Sequence, residues 1–322
     1  MNTKLFKHIC KMGQNKLHIY AANWLNSNGY KNVVSDKKFV FAKGELPVML
    51  VAHLDTVHKE PPRTFVEENG RISSPQGIGG DDRCGVYMIM DIVKELKCSV
   101  LFCRDEEIGG KGAEAFCQSD IWKDLKLNYI IEFDRRGDKD AVFYDCANDD
   151  FTDFIMKESG EYFTEAWGTF SDISFIAPSL KIAAVNLSCG YHKAHTTDEY
   201  VVYDEMEKSI EAAKKIINAK VDKPFEYMEC TYYRSKYDAP YGYGYGWDEW
   251  DYDDDDLDYY KKVYTVLYED ERLTYREKEI VAVSEDEAVG IFLKDNPYMT
   301  YSDIVNIYID DIDETDNGIL KL

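Results

Sequence analysis

Apolar residues near the start of the chain recur at helical spacing. Phe6, Ile9, Leu17, Tyr20, Ala21, Trp24 and Leu25 share one face, and the pattern stops at Asn28-Gly29, a C-cap pair, so one opening helix is predicted over 6–25. Short β-rich runs follow at 38–42, 48–53, 97–104, 127–133, 140–144 and 181–186. Helical patterns at 84–95, 113–118 and 149–158 lie between several of them, which is the alternation of an α/β sheet. The amphipathic stretch 202–221, rich in Glu, Lys and Ala, reads as a closing helix packed on that sheet.

Beyond this point the pattern breaks. A Tyr/Gly-rich stretch at 237–245 and an acidic run at 248–258 bury too little apolar surface to fold, and they read as a linker. From Tyr259 the periodicity resumes as strand (263–268), strand (275–283), helix (285–294) and strand (304–309). Three regions are therefore expected: a catalytic-sized domain over 1–222, a linker over 223–258 and a small α+β domain over 259–322. The acidic run does not make a calcium loop, because aligning Asp251, Asp253 and Asp255 puts Asp256 at the glycine position and Lys262 at that of the bidentate glutamate.

Composition narrows the function classes. With 322 residues, 45% of them hydrophobic, the chain can bury one large core with sequence to spare. Its net charge of -23 repels nucleic acid and anionic membrane alike. No apolar run reaches the length of a signal peptide or a membrane span, so a cytoplasmic protein is expected. The eight cysteines show no C-x-x-C pair or framework spacing and read as reduced, mostly buried thiols.

Chemistry concentrates at the C-terminal ends of the predicted strands, where ligand sites of open α/β sheets form. An apolar strand ends in His53-Leu54-Asp55, in which a carboxylate can fix the tautomer of a metal-binding imidazole. Gly77-Ile78-Gly79-Gly80-Asp81-Asp82 turns sharply into a helix. Asp82 stands where a dinucleotide loop needs glycine, so phosphate binding is disfavoured, and the acidic pair is either a helix cap or a cation ligand. Glu106-Glu107 follows another buried strand, and adjacent carboxylates there call for a cation, or else for a solvated loop. Glu132 and Asp134 alternate on a further strand, and His192 and His195 lie in a loop before the closing helix. His58 reads as a bystander on a loop.

The order His-x-Asp, Gly-x-x-Asp-Asp, Glu-Glu-x-Gly, Asp, His-Thr-x-x-Glu resembles the di-zinc exopeptidase clan of leucyl-type aminopeptidases, glutamyl aminopeptidases and tripeptidases, over roughly 48–218. The resemblance implies a three-layer α/β/α zinc-peptidase fold with a central mixed sheet, to which the C-terminal α+β region is appended. It implies that His53, Asp81, Glu107, Asp134 and His195 hold two divalent metal ions, with Asp81 bridging, Asp55 behind His53 and Glu106 as general base. A cis peptide between Asp81 and Asp82 is expected from the same source. His192 is weighed as an oxyanion donor against a plain loop residue, and Asp172 as a pocket residue against a helix N-cap.

Between His53 and Asp81 there is no room for the extra domain of the glutamyl aminopeptidase branch, nor between Asp134 and His195 for a dimerisation domain. The expected activity is hydrolysis of peptide or small amide substrates, foremost as an aminopeptidase on short peptides, with homo-oligomers compatible. An N-acyl amino acid deacylase on the same scaffold, and a non-catalytic metal- or peptide-binding protein, are the competing readings. Zinc leads among the metals, and cobalt and manganese suit the same donors.

Overall fold

The computed structural model describes residues 1–144, 146, 148–168, 170–228, 262–269, 275–282, 285–296 and 304–309. Its chain divides into two units, Met1–Asp238 and Ala239–Leu322.

In the first unit the elements run α1 (Thr3–Cys10), α2 (Gln14–Ser27), β1 (Val34–Ser35), β2 (Phe39–Ala42), β3 (Leu46–His53), β4 (Val66–Glu68), β5 (Arg71–Ser73), α3 (Gly80–Ile92), β6 (Cys98–Cys103), α4 (Lys111–Gln118), β7 (Tyr129–Arg135), β8 (Asp140–Val142), α5 (Asp149–Glu158), β9 (Thr164–Ala166), α6 (Ile173–Leu180), β10 (Ala184–Ser188), β11 (Tyr191–His192), β12 (Tyr200–Val202) and α7 (Tyr203–Asn218). Eight strands form a mixed sheet in the order β1-β2-β6-β3-β7-β10-β8-β9, in which β6, β3, β7 and β10 run parallel.

Alternation along the central strands supplies both cores. Val48, Leu50 and Ala52 of β3 join Tyr129, Ile131 and Phe133 of β7 beneath α1, α2, α3, α5 and α7, while Met49, Val51 and Ile130 face α4 and α6. Helices on both faces make the three-layer α/β/α fold with a mixed central sheet that the resemblance implied. A strand buried on both sides reads as a near-continuous apolar run, and β3 up to His53 and β6 apart from Ser99 do. The parallel core places the C-terminal ends of β3, β6 and β7 along one edge of the sheet.

Three differences from the sequence reading have physical causes. The opening helix is two helices: the chain breaks at Lys11–Gly13, yet Leu17 still lands on the same core as Phe6 and Ile9. Helix α6 was anticipated only through the N-cap reading of Asp172, because Ile173–Leu180 is apolar almost throughout and contains Pro178, so it carries no polar face to reveal a period. A second, four-stranded sheet, β11-β12-β5-β4, was also missed, its strands being two or three residues long.

Of the predicted linker, residues 229–258 lie outside the described residues. Before them, Phe225 packs its ring against Tyr129, Phe151 and Phe154, and Glu226 bridges to Ile182. In the second unit β13 (Lys262–Glu269), β14 (Tyr275–Ala282), α8 (Glu285–Asp295) and β15 (Ile304–Ile309) form an antiparallel sheet, β14-β13-β15, with one helix. Tyr264, Val266, Ile280, Ala288 and Phe292 make its core. No helix among the described residues is long and apolar enough to cross a membrane. The described cysteines are all free and, Cys117 apart, buried.

Candidate metal centre

Five side chains from five segments converge at the C-terminal edge of the central sheet. His53 closes β3, Asp81 opens α3, Glu107 follows β6, Asp134 is near the end of β7, and His195 lies between β11 and β12. They form two groups that share one member. In the first, His53, Asp81 and Asp134 bring ligand atoms within 4.8 Å of one another; in the second, Asp81, Glu107 and His195 do the same. His53 Nε2 is 2.9 Å from Asp81 Oδ1 and 3.3 Å from Asp134 Oδ1. His195 Nε2 is 3.2 Å from both Asp81 Oδ2 and Glu107 Oε2.

Local backbone explains why these side chains point inward. Glycines at 77 and 79 have positive φ, and a Cβ on Gly77 would come within 2.1 Å of the His58 ring, so the chain turns tightly against that residue before Asp81. The Asp81–Asp82 peptide is cis, as expected. Asp82 turns away from the group: fully buried, it accepts N–H bonds from His53 and Gly85 and so ties β3 to the start of α3. His195 has φ of 63°, in the left-handed region.

Neighbouring groups hold this array from behind. Asp55 Oδ1 lies 3.4 Å from His53 Nδ1, and the Asp55 oxygens accept the N–H groups of Glu106 and Glu107, each at 3.1 Å. One carboxylate thereby orients an imidazole and fixes the acidic loop. The preceding residue, Asp105, is pinned by Gln14 and Lys38. Asn186 on β10 accepts the N–H of Asp134 at 2.8 Å, and Ser171 donates to Glu132.

The electrostatics are those of too many buried carboxylates. Burial, reinforced by repulsion from Asp134, Asp172 and Glu107, pushes Glu106 well above the usual carboxylate range, although His53 opposes it. Asp134 is pushed up to about 7 by burial and by Asp81. At His195 burial disfavours the charged ring, but hydrogen bonds to Asp81 and Glu107 outweigh it and raise the imidazole to about 12. Asp81 moves the other way, held well below its ordinary value, burial notwithstanding, by hydrogen bonds from the two histidines. Glu107 Oε1 and Asp134 Oδ1 are buried without hydrogen-bond partners. Unpaired buried carboxylate oxygens facing imidazoles fit divalent cations, which would satisfy them and neutralise the repulsion.

Of the remaining predicted residues, Glu106 lies at the cluster, its Oε2 3.9 Å from His53 Nε2. His192 is not brought to it. Its Nε2 pairs with Glu205 of α7 at 2.6 Å and its ring stacks on Tyr200. Asp172 precedes α6 but makes no capping hydrogen bond; it is fully buried with both oxygens unpartnered. Sequence reasoning missed Glu132, Ser171 and Asn186 as supports, and set His58 aside, although its ring meets the buried Glu199 at 3.0 Å. The signal for Glu199 was its place within the His-Thr-x-x-Glu run.

Residues 36–174 match the model of peptidase family M28. No curated protein sequence matches the chain. Among solved structures, the aminopeptidase PepT of Bacillus cereus has 13% identity and a TM-score of 0.56, covering 67% of this chain and 96% of its own. A tripeptidase of Staphylococcus aureus has 14% identity and a TM-score of 0.53, covering 66% and 95%. An aminopeptidase of the archaeon Desulfurococcus kamchatkensis has 15% identity and a TM-score of 0.53, covering 68% and 94%. At these identities the structures establish a shared fold, and together with the family match over 36–174 they support metal-dependent peptide hydrolysis.

Proposed function

We propose that this metallopeptidase, matched over residues 36–174 to peptidase family M28, is a two-metal aminopeptidase acting on short peptides. The observation that carries the reading is the shared carboxylate: Asp81 offers Oδ1 to the group of His53 and Asp134 and Oδ2 to that of Glu107 and His195. Names of structures with the same fold, an aminopeptidase and a tripeptidase, support the chain-end and length preference.

Two divalent cations held by these donors, zinc foremost for a mixture of imidazole and carboxylate, supply Lewis acidity to the scissile carbonyl and lower the pKa of the attacking water. The protein's own residues do the rest. Asp55 keeps the His53 ring in one orientation through Nδ1 and keeps Glu106 and Glu107 in place through their N–H groups. Glu106, mostly buried beside the cluster, takes a proton from the attacking water and gives it to the departing amine. Its burial favours the protonated form after that transfer, which suits a group that must then act as an acid.

The protein is read as working in the cytoplasm, where a reducing environment keeps thiols unpaired, as all described ones are. Metal analysis of protein purified without chelator, paired with a screen of aminoacyl, peptidyl and N-acyl substrates, tests the proposal. Two metals per chain with release of N-terminal residues is the expected result. Turnover of N-acyl amino acids alone would replace it with the deacylase reading, and a metal-free, inactive protein would end it.

A further inference from the structure

Three ligand-bearing segments meet at a carboxylate that belongs to neither metal group. Glu199 is fully buried. Its Oε1 accepts the N–H of Asp81 at 3.0 Å, and its Oε2 accepts the N–H of Gly79 at 2.8 Å and lies 3.0 Å from His58 Nε2. His58 is on the segment that follows His53, Gly79 immediately precedes the opening of α3, and Glu199 is on the segment that follows His195. The fit is close: a Cβ on Gly77 would strike the His58 ring, and one on Gly80 would lie 2.7 Å from Tyr191 Cβ and 3.2 Å from Glu199 Oε1.

Like Asp82, which accepts N–H bonds from His53 and Gly85, Glu199 has both oxygens already used. Glu107, Glu132, Asp134 and Asp172 each keep a buried oxygen without a partner, and Glu199 keeps none. A buried carboxylate is costly unless hydrogen bonds compensate it, and here two backbone N–H groups and an imidazole do so. Glu199 is thus committed to holding backbone. The backbone it holds carries the one side chain common to both metal groups.

We propose that Glu199, locked by His58, is the positioning residue of Asp81, aiming both Asp81 oxygens at the two metal sites at once; the inference rests on the two-metal reading above. Because Asp81 serves both sites, a fault in this brace strikes both, whereas a fault in a ligand of one group strikes one.

Chelator-treated protein titrated with zinc against a chromophoric competitor tests this on five proteins: wild type, Glu199→Gln, His58→Ala, His58→Gln and His195→Ala. A glutamine at 199 has one accepting oxygen and cannot serve both N–H groups. Glu199→Gln is expected to weaken both zinc-binding steps by roughly 10- to 100-fold, in the range for partners of metal ligands. His58→Ala should weaken both several-fold, and His58→Gln, whose amide can still donate to Glu199, should restore most of that loss. His195→Ala should weaken one step only. Folded Glu199→Gln protein that binds both zinc ions with wild-type affinity overturns the proposal. Should Glu199→Gln not fold, undiminished affinity at both steps in His58→Ala does so instead. Wild-type protein that takes up no zinc overturns the two-metal reading itself, a result distinct from a loss confined to the variants.

Discussion

His53 and His195 address opposite oxygens of one carboxylate, at 2.9 Å from Asp81 Oδ1 and 3.2 Å from Asp81 Oδ2. Two donor groups built on a shared atom pair cannot be lost independently through that residue. Asp81→Asn should therefore abolish both metal sites and lower kcat/KM by at least about 10²-fold. His195→Ala should leave the group of His53, Asp81 and Asp134 able to bind one ion. Metal content per chain, measured on dialysed protein, distinguishes them: close to none for the first variant and close to one for the second.

Removing the metal should also destabilise the fold, since the unpartnered oxygens of Glu107 and Asp134 would again face other buried carboxylates. A ligand at 100 times its Kd stabilises by about 2.7 kcal/mol. For a unit of this size each kcal/mol moves Tm by roughly 2–4 °C. Chelation should lower Tm by about 5–11 °C, the product of those two figures, and added zinc should restore it; a Tm indifferent to both would argue against structural metal at this site.

In the proposed mechanism Glu106 is the member of the cluster that handles the proton. Glu106→Gln keeps the shape and the N–H bond to Asp55 while removing the group that accepts a proton. Loss of a general base costs typically about 10²–10⁴-fold in rate. The expected outcome is a fall of that size in kcat with both metal ions retained, read by steady-state kinetics beside metal analysis. Wild-type turnover in this variant would assign the base elsewhere.

Much of this was legible in the sequence where burial is two-sided or chain order is informative. Residues 48–52 and 100–103 are apolar without interruption because both faces of β3 and β6 are covered, and such runs announce central strands. The acidic and histidine residues that end those strands were recognisable in series because parallel strands deliver their C-terminal ends to one edge. Less was legible where local pattern and tertiary role diverge. The spacing from Ile9 to Leu17 stays helical across a break at Lys11–Gly13, so two helices read as one. Asp172 sits where an N-cap belongs, yet its side chain is fully buried and makes no capping hydrogen bond. His58 looked incidental because its partner, Glu199, is supplied by a distant segment, and single-sequence pattern does not encode such pairing.

Asp55 tests how far the support behind the ligands matters. An asparagine there keeps one accepting oxygen, so the N–H groups of Glu106 and Glu107 could not both be satisfied, and the fixed partner of His53 Nδ1 would be weakened. Asp55→Asn should reduce zinc affinity or kcat by roughly 10- to 100-fold without unfolding the protein. Circular dichroism alongside zinc titration separates that outcome from general damage.

Helix α3 crosses β7 so closely at Gly85 that a methyl group has no place. A Cβ there would lie 1.9 Å from the Phe133 carbonyl oxygen and 2.6 Å from both Asp82 oxygens. Overpacking against a well-ordered core costs typically about 1–3 kcal/mol, and backbone is the obstacle here, so Gly85→Ala should fall at the upper end. Because Phe133 precedes Asp134, the forced shift should also loosen the first metal group. A drop in Tm accompanied by weaker zinc binding is expected; a neutral substitution would show that α3 can move away from β7 freely.

Away from the metal centre, His18 gives the fold a pH dependence whose sign can be worked out. The residue lies on the buried face of α2, with Nε2 2.9 Å from Ser35 Oγ and Nδ1 without a partner. Burial, then the Arg104 guanidinium, lowers its pKa, and Asp36 opposes them only in part. A histidine whose folded pKa lies below its unfolded value near 6.5 takes up its proton more readily when unfolded. Its neutral form therefore favours the folded state fully above about pH 6.5, and that contribution is lost as pH falls towards the lowered folded value. His18→Gln, neutral at every pH and able to keep a bond to Ser35, removes this term alone. Plotted from about pH 7.5 down to 5, the Tm of wild type should fall more steeply than that of the variant, while the two curves run parallel above pH 7; parallel curves throughout would mean that His18 titrates as it does in water.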